Sequence, residues 1–222
     1  MTIPVSFYIL SDMEEAISFW NLPNVLTVSR IFLVPVLIVV LLTRFPEWEL
    51  IGLAIFLAAA ITDALDGYLA RKRNQMTNLG ALLDPLADKL LTVGAFVSLV
   101  EMGIAPAWMV TIIISREFAV TGLRAISAQK GFTMAASNLG KVKMVSQIIA
   151  ISVMIGGPRI FGYLFRKGGE YAAWLGVLLL WGVMLFAILS AAEYFWKFFQ
   201  RYRDFYFPMA RNKRKKLGNS LN

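Results

Sequence analysis

The sequence predicts an all-α, polytopic membrane protein: six transmembrane helices plus a short N-terminal interfacial helix, forming a single membrane domain over residues 1–222. Three observations lead there. The chain has 222 residues of which 58% are apolar and only 16% charged, a balance too apolar for an ordinary soluble domain. The apolar residues gather into runs long enough to cross about 30 Å of hydrocarbon at about 1.5 Å per residue. The Lys and Arg residues of this +8 chain sit between and after those runs, where charge sets membrane orientation. No nucleic-acid partner is expected from the basic balance.

The first twenty residues lack the basic start and small-residue cleavage site of a signal peptide. Ser11 and Glu14 read as a capping box, and Met13, Ile17 and Trp20 then recur on one face, so residues 11–20 are expected to lie as a helix on the membrane. Asn21 to Asn24 reads as a turn. Val25 to Leu42 makes the first span, with Arg30 one to two turns inside it. That arginine either snorkels to the lipid interface or contacts a phosphate.

Pro46 closes a short link, and the second and third spans run from about Trp48 to Ala70 and from Leu79 to Val100. After Met102 and Gly103, Pro106 opens the fourth span, which ends near Ile126 and carries Ser115, Arg116, Glu117, Thr121 and Arg124. The fifth, from about Ala136 to Ile155, is polar over its first two turns, with Asn138, Lys141, Lys143 and Gln147. Gly156, Gly157 and Pro158 are expected to break the chain there, ahead of a basic loop with Arg159, Arg166 and Lys167. The sixth span covers Tyr171 to about Trp196, and residues 200–222 read as an aromatic, basic cytoplasmic tail with Arg211 and Lys213 to Lys216.

The links after the second and fourth spans and the tail hold most of the Lys and Arg, whereas those after the first and third hold only Arg44. Both termini are therefore expected to face the cytoplasm of a bacterial-type cell membrane, with the loop after the fifth span a moderate exception.

The chemistry concentrates in residues 63–88. Asp63 and Asp66 share a helix face with Gly67 and Ala70, and Asp84 and Asp88 share a face of the next helix with Gly80. The polar link from Arg71 to Asn78 is short enough to make the two helices antiparallel neighbours. Each aspartate deep in a membrane helix costs roughly 2.5–3.5 kcal/mol, so four without compensation would cost on the order of 10 kcal/mol. The bland alternative makes them helix caps and interface anchors paired with Arg71, Lys72, Arg73 and Lys89. The chain has no histidine and no cysteine, which removes the commonest general base, any thiol nucleophile and a soft metal site. Four carboxylates form a hard oxygen set suited to Mg²⁺, Mn²⁺ or Ca²⁺. Two such ions about 3.5–4 Å apart stabilise the attacking and leaving oxygens of an in-line phosphoryl displacement.

Written out, the stretch is Asp63-x2-Asp66-Gly67-x2-Ala70-Arg71-x8-Gly80-x3-Asp84-x3-Asp88. This resembles, at all eight positions, the signature of the CDP-alcohol phosphotransferases, integral membrane enzymes of phospholipid synthesis. The resemblance implies metal ligation by Asp63, Asp66 and Asp84. It makes Asp88 the base that activates the acceptor hydroxyl, and allows it a metal contact as well. It implies further that Asp66, Gly67, Ala70, Arg71 and Gly80 line the site for the CDP moiety, that the cofactor is Mg²⁺ or Mn²⁺, two ions in all, and that the protein is a homodimer. An alcohol attacks the β-phosphorus of a CDP-linked lipid and CMP leaves.

Outside the signature, NLPNVLTVSR at 21–30, SREFAVTGLR at 115–124 and GKVKMVSQ at 140–147 are similar to the branch of that family that joins CDP-diacylglycerol to glycerol 3-phosphate. A phosphorylated acceptor needs a cationic cradle, for which Arg116, Arg124, Lys141, Lys143 and Arg30 are the candidates. Anchoring of the cytoplasmic ends is the competing role for these cations. Phosphatidylglycerol or inositol phosphate are alternative acceptors. From other classes, the acids would serve a cation-coupled transporter, or the chain would be an assembly subunit without chemistry; against transport stand the missing inverted repeat and broken helix pair.

Overall fold

The computed structural model describes residues 22–73, 78–130 and 138–206, with side chains at 27–62, 87, 89–130 and 142–203. Within those residues every regular element is helical: α1 Leu22–Thr43, α2 Trp48–Arg73, α3 Asn78–Glu101, α4 Ala107–Gln129, α5 Asn138–Leu164 and α6 Gly168–Tyr206. The expected interfacial helix at 11–20 and tail residues 207–222 lie outside the described residues. Val142–Leu164 and Gly168–Arg203 are long and apolar enough to cross a membrane, and Thr27–Thr43 and Trp48–Thr62 are shorter apolar stretches.

The connections at one end are tight. Arg44 and Glu47 adopt left-handed backbone conformations between α1 and α2, and Gly103 does so between α3 and α4, with φ of 47°, 71° and 72°. Arg44 Nη2 donates to the Met102 carbonyl at 3.1 Å, and Arg159 pairs with Glu47. These contacts gather the α1–α2 and α3–α4 turns and the C-terminal part of α5 at the same end of the bundle.

The helices pack as α1 on α2 and α3, α2 on α5, and α6 on both α4 and α5. Where they meet, Leu37, Leu41, Phe56, Phe96, Leu99, Met109, Ile113, Ile155 and Leu180 are fully buried. Trp108 of α4 meets Trp181 of α6 edge to face, with ring centres 5.4 Å apart. The exterior is apolar too: Phe32, Trp174, Leu178, Leu189 and Trp196 are all more than half exposed. Side chains of that size in such number on the outside suit lipid as the surrounding solvent.

Besides the turn expected at Asn21 to Asn24, whose residues from Leu22 on already belong to α1, two expectations need correction. Gly156, Gly157 and Pro158 do not break the chain, because α5 runs unbroken to Leu164 with Pro158 inside it. A β-carbon on Gly156 would lie 2.5 Å from Leu53 Cδ2, and one on Gly157 would lie 3.3 Å from Ala172 Cβ. The glycines are thus points where α2 and α6 press against α5, the small-residue contact of helices in an apolar medium. The proline costs one backbone hydrogen bond, which surrounding helices make tolerable. Second, α6 extends past Trp196 to Tyr206 and so takes in the start of the expected tail. Its 39 residues span about 58 Å, and the first proline after Pro158 is Pro208, so nothing stops the helix earlier.

The contact at Gly156 yields a stability prediction. Gly156→Val should lower the free energy of unfolding by about 1–3 kcal/mol, read as a lower melting temperature in detergent, with Gly156→Ala milder because the Leu53 side chain can swing away. A valine variant melting like the parent would show that α2 and α5 do not meet there.

Candidate active site

The interior changes character along the bundle. Beyond the apolar core, towards the end opposite the tight turns, the buried residues become Thr27, Arg30, Ser127, Lys143, Gln147 and Ser190, each at most 5% exposed. A bundle whose outside is apolar and whose inside is polar at one end is built to hold something charged.

Its centre is Glu117 on α4. Lys143 of α5 forms an ion pair with Glu117 Oε1, and Arg116 Nη1 donates to the same oxygen at 3.2 Å. The side chains of Lys143, Arg116 and Glu117 are 4%, 9% and 17% exposed, so two shielded cations lean on one carboxylate. Arg116 Nη2 donates to Ser190 Oγ on α6, while its Nε has no hydrogen-bond partner among the described residues. Lys89 of α3 donates to Thr121 Oγ1 at 2.5 Å. The Thr121 hydroxyl in turn donates to the Glu117 carbonyl at 2.8 Å.

Further along, α4 and α6 continue as a parallel ladder. Arg124 donates to the Tyr194 hydroxyl with its guanidinium 5.2 Å from the ring centre, and Lys130 Nζ lies 4.6 Å from the centre of the Tyr202 ring. Charge–aromatic contacts of this kind hold cations at the rim of an apolar bundle.

Of the cations proposed for an acceptor phosphate, Arg116 and Lys143 converge on Glu117, and Arg124 stands two turns beyond Arg116 on α4. Arg30 is 1% exposed, so it does not snorkel to a lipid interface. The side chain of Lys141 lies outside the described residues, as do those of Asp63, Asp66, Gly67, Ala70, Arg71, Gly80, Asp84 and Asp88. The helices that carry them do not. Glu47 meets Arg159 and Leu53 faces Gly156, which fixes α2 and α5 as antiparallel. Continuing along both helices from these contacts carries the backbone of Asp63 and Asp66 towards the first turns of α5, the stretch that holds Lys143 and Ser146. On α3, Asp88 immediately precedes Lys89, which reaches α4 one turn from Glu117. Acid-bearing backbone and cationic cluster therefore share one level of the bundle.

The donor chemistry of the acidic stretch fits a hard divalent ion. Its carboxylates offer only oxygen, and the chain has no histidine or cysteine to add nitrogen or sulfur.

Comparison with known proteins decides the family. Residues 20–190 match the family model for CDP-alcohol phosphatidyltransferase. The chain belongs to the CDP-alcohol phosphatidyltransferase family. A relative from Bacillus subtilis (strain 168), named CDP-diacylglycerol--glycerol-3-phosphate 3-phosphatidyltransferase, is 43% identical over 190 residues, covering 80% of this chain and 95% of the relative. Proteins of the same name from Rickettsia bellii (strain RML369-C) and Salmonella choleraesuis (strain SC-B67) are 35% and 38% identical, covering 79% and 78% of this chain and 93% and 96% of theirs. Membership in this transferase family makes the chain an enzyme.

Sequence reasoning named Glu117 and Gln147 without giving either a role, and it missed Ser190 and Tyr194 altogether. The signal for the last two was a polar pair four residues apart inside the otherwise apolar α6. The ladder gives a further prediction. Tyr194→Phe keeps the ring under Arg124 but removes the oxygen that accepts its hydrogen bond. It should lower stability by about 0.5–1.5 kcal/mol in thermal unfolding; an unchanged melt would mean that the bond contributes nothing.

Proposed function

We propose that this enzyme transfers the phosphatidyl group of CDP-diacylglycerol to glycerol 3-phosphate, giving phosphatidylglycerophosphate and CMP. The observation that carries the reading is the buried pair Arg116 and Lys143 on Glu117, at the same level as the helices bearing the four aspartates. A transferase with a phosphorylated acceptor needs both parts in one place. The names of the relatives support the same pair of substrates. The six helices then all cross the bilayer, with both termini and the site on the cytoplasmic side, where a water-soluble acceptor arrives from one direction and a lipid donor laterally. The protein works as a homodimer.

In this reading Asp63, Asp66, Asp84 and Asp88 hold Mg²⁺ or Mn²⁺, two ions in all. Bound there, the ions offset the charge of the donor pyrophosphate and stabilise the leaving CMP. Gly67, Ala70 and Gly80 present little side-chain bulk, so the CDP moiety approaches the helix backbones closely. Arg71 and Asp66 contact the same moiety. Asp88 accepts the proton of the acceptor hydroxyl as its oxygen bonds to the β-phosphorus, and the bond to CMP breaks with its electrons passing to the departing phosphate. No covalent enzyme intermediate is needed, which suits a chain without histidine or cysteine. Arg116 and Lys143 hold the acceptor phosphate through charge-assisted hydrogen bonds, with Arg30, Arg124 and Lys141 adding positive charge around it.

Purified protein with Mg²⁺ or Mn²⁺ should release CMP from CDP-diacylglycerol when glycerol 3-phosphate is added, and chelation should stop it. No CMP from folded protein under those conditions would sink the proposal, and CMP release with phosphatidylglycerol or inositol phosphate in preference would reassign the acceptor. Within the acidic set, Asp88→Asn should abolish turnover yet retain more metal than Asp84→Asn. Equal loss of metal in both variants would remove the separate role of Asp88 as base.

A further inference from the structure

Glu117 is the one acidic side chain among the described residues of α4, and nothing in the transfer chemistry asks for a negative charge beside an acceptor phosphate. A carboxylate there repels the very group that the cations are to bind. Its contacts explain its presence. Lys143 comes from α5 and Arg116 from α4, and both are long chains with rotamer freedom that repel each other. With one oxygen of Glu117 binding both, the two cations are brought to a common point. Arg116 Nη2 donates to Ser190 on α6, and the helix turn that carries Glu117 is tied to α3 through Thr121 and Lys89. The cluster around the carboxylate thus draws on α3, α4, α5 and α6.

Burial gives the second argument. The side chains of Arg116 and Lys143 are at most 9% exposed, and two like charges side by side in so shielded a place repel each other unless a carboxylate lies between them. With Glu117 there, the two cations stay together and stay inside.

We propose that Glu117 is a positioning residue for acceptor recognition: it holds Arg116 and Lys143 together, charged and buried, so that they receive the phosphate of the acceptor. This rests on the transferase reading above and adds a specificity-determining residue to it. The donor lipid does not depend on this carboxylate, so its loss separates the two substrates.

The test is substrate-resolved kinetics on full-length protein in detergent, comparing the parent with Glu117→Gln and Glu117→Asp. Glu117→Gln should raise the KM for glycerol 3-phosphate by about tenfold or more, the loss of one charge-assisted contact, with the KM for CDP-diacylglycerol moving less than about twofold. Glu117→Asp, which keeps the charge, should recover part of the loss. A readout independent of turnover is the melting temperature. Saturating glycerol 3-phosphate should raise it in the parent and in Glu117→Asp, but not in Glu117→Gln. Equal rises in both KM values, no rise in either, or an undiminished glycerol 3-phosphate shift in Glu117→Gln would overturn the proposal. If Glu117→Gln does not fold, Glu117→Asp decides, a rise in the KM for glycerol 3-phosphate alone supporting the proposal and an unaltered KM or a rise shared equally by both substrates refuting it. Absence of turnover in the parent would instead count against the transferase reading itself.

Discussion

A lysine and an arginine cannot stay charged inside an apolar helix bundle unless an opposite charge meets them there. Desolvating each cation costs several kcal/mol, and only an excellent pairing geometry offsets it. In this protein the requirement is met by Glu117, whose carboxylate receives Lys143 and Arg116 together. The same cluster links the later helices to one another: Lys143 joins α5 to α4, Ser190 joins α6 and Lys89 joins α3.

The other end of the bundle solves the opposite problem. There the interior is closed by tightly packed apolar side chains, and the turns are fixed by Arg44 on the Met102 carbonyl and by Arg159 on Glu47. Glycines 52, 94, 156 and 176 sit where a β-carbon would press on a neighbouring helix's side chain. Close packing thus marks one end of the described bundle and charge pairing the other. For a transferase this division is useful, because preorganised charges need not rearrange when the substrates arrive.

Much of this was legible in the sequence, and what was not has physical causes. The helices declared themselves through apolar runs bounded by Pro46, Gly103 and Pro106, and the acidic stretch through its spacing. The Gly156-Gly157-Pro158 run misled because the reading treated the glycines as breakers. In an apolar medium they serve equally as contact surfaces, and only the positions of Leu53 and Ala172 tell the two apart. Arg30 was ambiguous for a similar reason: a residue one or two turns into a span reaches either the lipid interface or the bundle interior, and its burial is a property of α1's packing. Glu117, Ser190 and Tyr194 gained meaning only once α4, α5 and α6 were seen together. Their partners lie 26, 74 and 70 residues away in the chain, beyond any local pattern.

We propose that the acids of α2 and α3 bind divalent metal and share one space with the cations of α4 and α5. The chain has no native cysteine, so a spin label can be placed at Ser146→Cys on α5, in the stretch that holds Lys143, and Mn²⁺ then added as both ligand and relaxation agent. The account predicts strong broadening of the label by stoichiometric Mn²⁺, lost when the four aspartates are changed to asparagine. Tight Mn²⁺ binding that leaves the label's spectrum unchanged would contradict it, because the ion would then sit away from the cationic end of α5.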